Sequence, residues 1–112
     1  MELIYIGAPY NVGVVTKDGS VFPDVPCIAL YNRATKRAYE CTGTARQDGG
    51  YDFTFSAELT SMMSQGVYAL EIYNNDRSVM YKRIDEFGRV VPCRVSPDTI
   101  VAQNDESESE SE

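Results

Sequence analysis

The chain reads as an all-β protein: one antiparallel β-sandwich of Greek-key type, with about seven or eight short strands and a single helical turn. Three observations carry that reading. Tyr occurs eight times and Phe four, and these rings recur with β-branched residues in short bursts separated by turn chemistry. Residues 51–58 alternate strictly, with Tyr51, Phe53, Phe55 and Ala57 on one face and Asp52, Thr54, Ser56 and Glu58 on the other. Such a period of two places one face on a core and one in water, whereas a helix would scatter the aromatics round its circumference. Finally, turn signals return about every ten residues, leaving no room for a βαβ crossover.

The elements follow in order. Residues 2–8 form an apolar strand that stops at Pro9. Residues 11–16 form a second, closing on Lys17-Asp18-Gly19-Ser20, where Gly takes a positive φ readily. Pro23 and Pro26 bracket a stretch without a full set of amides, so it reads as a loop or sheet edge. Residues 27–32 and 37–44 pair across Arg33-Ala34-Thr35-Lys36, which brings Cys27 and Cys41 near each other as reduced thiols. Gln47-Asp48-Gly49-Gly50 then turns the chain into the 51–58 strand. The stretch from Leu59 to Gly66 supplies the helical turn, capped by Thr60 or Ser61 and stopped by Gly66.

Residues 67–73 resume the strand pattern, with Tyr68, Leu70 and Ile72 on one face. Asn74-Asn75-Asp76 is a hairpin turn into 78–84, and Asp85-Glu86-Phe87-Gly88 turns again into 89–95. Pro97 ends regular structure. Residues 1–101 thus make the sandwich domain, with strands 1–16 either joining it or docking on a neighbour. Residues 102–112 alternate Ser and Glu without apolar anchors and are expected to be a disordered acidic tail.

The net charge of −7 is unevenly placed: taking the five acids Asp105, Glu106, Glu108, Glu110 and Glu112 from the total of 17 leaves 12 against 10 bases. A nearly neutral body with an acidic tail is the opposite of what nucleic-acid binding needs, since phosphate counterions are displaced by concentrated positive charge. No apolar run approaches the roughly 20 residues that span a bilayer. The start, Met1-Glu2-Leu3-Ile4-Tyr5, has no basic segment before a long apolar one, so synthesis in the cytoplasm is expected.

With no His, the usual Ser and Cys hydrolase arrangements lack their base. The three cysteines include no close pair, so a zinc site is not expected. The paired acids Asp85-Glu86 and Asp48 with Asp52 sit in turn-like sequence, where solvated carboxylates are the norm. Asn74-Asn75-Asp76 is too short to supply the six or more oxygens a closed calcium site uses. Neither a catalytic residue nor a metal or cofactor is expected.

Gly66 and Tyr68 have a structural reading. In Greek-key sandwiches a Tyr just after the corner between sheets hydrogen-bonds to upstream backbone while its ring fills the core; an ordinary buried aromatic is the other reading of Tyr68. Tyr31, Tyr39, Tyr73 and Tyr81 are candidates for contact with a partner, because a sandwich buries only one face of each sheet and Tyr is enriched at interfaces.

The run from Tyr51-Asp52-Phe53-Thr54-Phe55 through Thr60-Ser61-Met62-Met63 to Gly66-Val67-Tyr68-Ala69-Leu70-Glu71-Ile72-Tyr73 resembles the Ig-like modules of tailed-bacteriophage virions, found in baseplate, fibre and capsid-accessory proteins. Val25, Ile28 and Leu30 fit the earlier strands of such modules. The resemblance implies an Ig-like sandwich that acts as a virion structural protein, made in the host cytoplasm and binding capsid, portal or tail components or further copies of itself. Charge and composition give no expectation of a nucleic-acid or membrane partner. A carbohydrate-binding or adhesin module is the alternative, weakened by the absence of Trp.

Overall fold

The computed structural model describes residues 1–92. The strands are β1 (Glu2–Tyr5), β2 (Tyr10–Val14), β3 (Cys27–Asn32), β4 (Arg37–Thr42), β5 (Thr44–Ala45), β6 (Tyr51–Phe55), β7 (Gly66–Tyr73) and β8 (Met80–Val91), with one helix, α1 (Ala57–Ser61), between β6 and β7. They form two sheets, one ordered β1-β8-β7-β3-β4 and the other β2-β6-β5. That order is an immunoglobulin-type arrangement, in which consecutive strands repeatedly change sheet and the core lies between the layers.

The core follows from the alternation. Phe53 and Phe55 of β6 meet Ile28 and Leu30 of β3 and Tyr68 and Leu70 of β7, all fully buried. Each such side chain contributes roughly 1.5–3 kcal/mol by leaving water. Register places Leu30 opposite both Tyr39 and Leu70, and Ile28 opposite both Cys41 and Ile72, so one inward row runs across three strands.

Both N-terminal strands belong to the sheets. β1 lies parallel to β8, with Ile4 opposite Val90, the only parallel pairing among the described residues. Ile4 is completely buried. Gly88 on β8 makes room for it, because a Cβ there would stand 3.0 Å from the Ile4 side chain. β2 pairs with β6 in the other sheet. The 6–9 link between them changes sheet and is held by Thr60, whose hydroxyl accepts from the Gly7 amide at 3.1 Å and faces the Ala8 carbonyl at 2.9 Å.

Three local expectations are corrected. The helix begins earlier than expected: Ser56, at the end of β6, is the N-cap and accepts from the Leu59 amide. That frees Thr60 from capping and buries it inside the helix. The turn expected at Asp85-Glu86-Phe87-Gly88 does not divide two strands, since β8 runs on through Asp85-Glu86-Phe87 as a bulge. Tyr68 pairs with Gly88 and Leu70 with Ile84, so three residues of β8 oppose Ala69 alone, and Glu86 takes a φ of 53°. A turn signal inside a strand is also what a bulge requires.

The third correction concerns the thiols. Cys41 stands opposite Ile28, not Cys27, and the one-residue offset turns the two sulfurs to opposite faces. Cys27 donates instead to the Asn74 carbonyl at 3.3 Å, and both cysteines are free. The acidic tail expected at 102–112, the end of the 89–95 strand and Cys93 lie outside the described residues. No helix among the described residues is long and apolar enough to cross a membrane.

Candidate protein-contact face

The outer side of the five-stranded sheet is built in rows. Across β4, β3 and β7 runs Ala38, Tyr31, Ala69; the next row, Glu40, Ala29, Glu71, continues to Arg83 on β8; a third is Thr42, Cys27, Tyr73, Met80. The small side chains leave the rings of Tyr31 and Tyr73 standing above the sheet, each half-buried.

Between the rings lies the pair Glu71 and Arg83. The Glu71 side chain is only 9% exposed, although its face looks away from the core. Burying a carboxylate is costly unless its oxygens are matched. Here one oxygen accepts from the Tyr73 hydroxyl at 2.8 Å and the other from the Arg83 guanidinium at 2.8 Å. Burial first, then the bond to Glu71, pushes the Tyr73 hydroxyl above its usual pKa. Arg83 also donates to Asp85 at 2.8 Å, and its guanidinium carbon sits 5.7 Å from the Tyr31 ring centre. Four side chains on three strands thereby fix one another.

Beside this network a groove of about 720 Å³ opens between the β3–β4 turn, the loop before β7 and the β8 bulge. Tyr31, Arg33, Thr35, Gln65, Arg83 and Asp85 are among its lining residues. Asn32 shapes the turn: its side-chain oxygen accepts from the Ala34 and Thr35 amides, and Lys36 takes a φ of 60°. Arg33 reaches Asp85 at 3.7 Å, both widely exposed, so that pairing adds little to stability.

The structure separates the four tyrosines. Tyr31 and Tyr73 share the outer face. Tyr39 is removed from the candidates: β4 turns it inward opposite Leu30, it is buried, and its hydroxyl donates to the Met62 carbonyl at 3.1 Å. Tyr81 leaves the face as well, because a second irregularity in the β7–β8 ladder, between Ile72 and Tyr73, carries it to the edge beside Phe22. Tyr68 donates to the Ser64 carbonyl at 2.8 Å with its ring fully buried, the bond that defines a tyrosine corner. Gly66 opens that strand at a φ of 138°, which a side chain would resist.

Glu71 and Arg83 carry the face, and the sequence reading passed over both. The signal was available in part: Glu71 falls on the outward side of an alternating strand, and Arg83 lies on its hairpin partner. Pairing them required the register, which two irregularities displace.

The remaining acids face their own turns. Arg46 bridges Asp48 at 2.7 Å and Asp52 at 3.4 Å. The Asp76 carboxylate accepts from the Ser78 amide and the Asn74 side chain accepts from the Val79 amide, so these oxygens point into the turn. Hydrogen bonds from Ser20, Gly50 and Ser78 hold Asp18, Asp48 and Asp76 below the usual carboxylate range.

Compared with known protein families, with curated proteins and with solved structures, the chain matches none.

Proposed function

We propose that this chain is a non-catalytic binding module that packs the outer face of its five-stranded sheet against another protein. The observation that carries the reading is the Glu71 carboxylate, shielded on a solvent-side face and matched by Tyr73 and Arg83. A network of this kind keeps Arg83 and Tyr31 in one arrangement before any partner arrives, so less side-chain entropy is lost on docking. Tyr and Arg are also the side chains that most often anchor interfaces. The groove beside them offers a partner's side chain or loop a place to seat.

The finer assignment, a structural protein of a tailed-phage virion contacting capsid, portal or tail components, is proposed on the resemblance of the β6–α1–β7 segment alone. The immunoglobulin-type strand order and the corner at Tyr68 are consistent with it and are shared by many sandwiches.

Site-specific photocrosslinking tests both levels. A photoreactive amino acid is placed at Tyr31 or Tyr73 in the cell that makes the protein, with Thr54, exposed on the other sheet, as control. The expected result is a crosslink at the first two positions and none at the third, to a protein identified by mass spectrometry as a virion component. Equal crosslinking at all three positions, or none, overturns the contact face. A partner that is no virion protein overturns the phage assignment and leaves the face standing. Binding to a glycan array, lost on Tyr31→Ala, would replace the protein-contact reading with the carbohydrate one.

A further inference from the structure

The opposite end of the sandwich carries a second groove, of about 350 Å³, lined by Val14, Val15, Val21, Phe22, Ile72 and Tyr81 among others. Of nine large hydrophobic side chains exposed among the described residues, three line it, Val15, Val21 and Tyr81, and Val79 and Met80 precede Tyr81 in the chain. Such a concentration marks an interaction site. The only charged residues lining it are Lys17 and Lys82. Neither has an ion-pair partner among the described residues, whereas Arg33, Arg46, Arg77 and Arg83 are all paired. An occupant that suits this groove brings aliphatic side chains flanked by carboxylates.

The chain itself contains such a segment. In Asp98-Thr99-Ile100-Val101-Ala102-Gln103-Asn104-Asp105-Glu106 an aliphatic pair stands between acids. We propose that the groove receives residues 98–106 of a second copy of this chain, with Ile100 and Val101 against Val21, Phe22 and Tyr81 and the acids beside Lys17 and Lys82.

Chain geometry favours a second copy over the same one. β8 leads from the groove at Tyr81 to the far end of the sandwich at Val91, about 30 Å at roughly 3.3 Å per residue. The nine residues from Val91 to Ile100 span at most about 32 Å when fully extended. Returning within one molecule would take nearly all of that reach and leave nothing for the reversal of direction. A neighbour's segment meets no such limit. The contact joins two different surfaces, so it links copies head to tail and builds rings or open chains.

Sedimentation of the full chain over a range of concentrations tests the proposal, with two variants. Val21→Asp alters the groove at a position 75% exposed, and Ile100→Asp together with Val101→Asp alters the segment. Circular dichroism checks that each retains the sheet signature. The full chain is expected to associate, each variant to do so at least about tenfold more weakly, and an equimolar mixture of the two to form only 1:1 pairs, because each supplies the surface the other lacks. The association of the full chain should weaken as salt rises, as charges near the surface are screened. A full chain that stays monomeric, variants that associate unchanged, or a mixture that yields no pair overturns it. The Tyr31 and Tyr73 face is untouched by these changes, so its crosslinks report separately.

Discussion

The two ends of the sandwich use similar side chains for different ends. Around α1, polar atoms are buried and matched: Thr60 serves Gly7 and Ala8, Tyr68 serves Ser64, Tyr39 serves Met62 and Asn32 serves its own turn. Around the 15–26 loop and the β7–β8 hairpin, Val15, Val21, Val79, Met80 and Tyr81 stay in water. The helix end thus holds the fold together, and the hairpin end keeps apolar area available.

The sharpest break in this comparison is Thr60→Val. The substitution keeps shape and burial but leaves the Gly7 amide and the Ala8 carbonyl without their partner, 53 and 52 residues away in sequence. At about 1–3 kcal/mol for each orphaned buried group, a loss of about 2–4 kcal/mol is expected in denaturant unfolding. A loss under about 0.5 kcal/mol would mean water replaces the bonds and the helix end is not locked.

Tyr68→Phe comes next, at about 1–2 kcal/mol. It removes one bond to the Ser64 carbonyl and leaves the ring in place. The same change at Tyr39, whose hydroxyl also reaches across the α1 region, should fall in the same range. Near-zero cost for Tyr68→Phe with full cost for Tyr39→Phe would assign the locking to β4 and not to the corner.

How far the sequence showed these features differs from one to another. Most of the strands follow from alternation and turn residues, because the pleat makes every second side chain face the core whatever the tertiary context, but the single long β8 and the short β5 do not. Tyr68 and Gly66 were readable for the same reason: a backbone position and a ring sit at a fixed offset from a corner. Tyr39 was misplaced because a Tyr on an edge strand suits either face, and only the pairing of β4 with β3 turned it inward. The pattern points to Thr60 or Ser61 as the cap because both carry capping chemistry; Ser56 carries it too, and the end of β6 selects it. The Glu71–Arg83 pair depended on a register set by bulges, which no single-strand pattern encodes.

A third effect separates the ends by pH. At the hairpin end of β4, burial chiefly, with Cys27 as a lesser cause, pushes the Cys41 thiol up to about 12. A raised thiol pKa favours folding while the group is protonated in both states. That contribution is therefore whole below about 9 and lost as pH rises towards about 12, at no more than about 1.4 kcal/mol per pH unit. Cys41→Ala should flatten the alkaline decline in stability relative to the parent and leave its pH dependence below 8 unchanged. Parallel alkaline curves would show that Cys41 ionises in the folded state as readily as in the unfolded.

The smallest expected effect is the most diagnostic of the hairpin end. Val21 is 75% exposed, so Val21→Asp removes little buried area and should change stability by less than about 0.5 kcal/mol. Tyr81→Ala, at 39% exposed and 6.2 Å from the Phe22 ring centre, should cost more, about 1 kcal/mol, chiefly through that ring contact. If Val21→Asp unfolds the protein, the patch is part of its core and the two ends are alike. If instead the melting curve is unmoved while exposed apolar area falls, as read by binding of a hydrophobic dye, then those side chains contribute nothing to holding the isolated sandwich together. Their energy is then left to be realised only when something covers them, which is the difference from Thr60, whose bonds are already made.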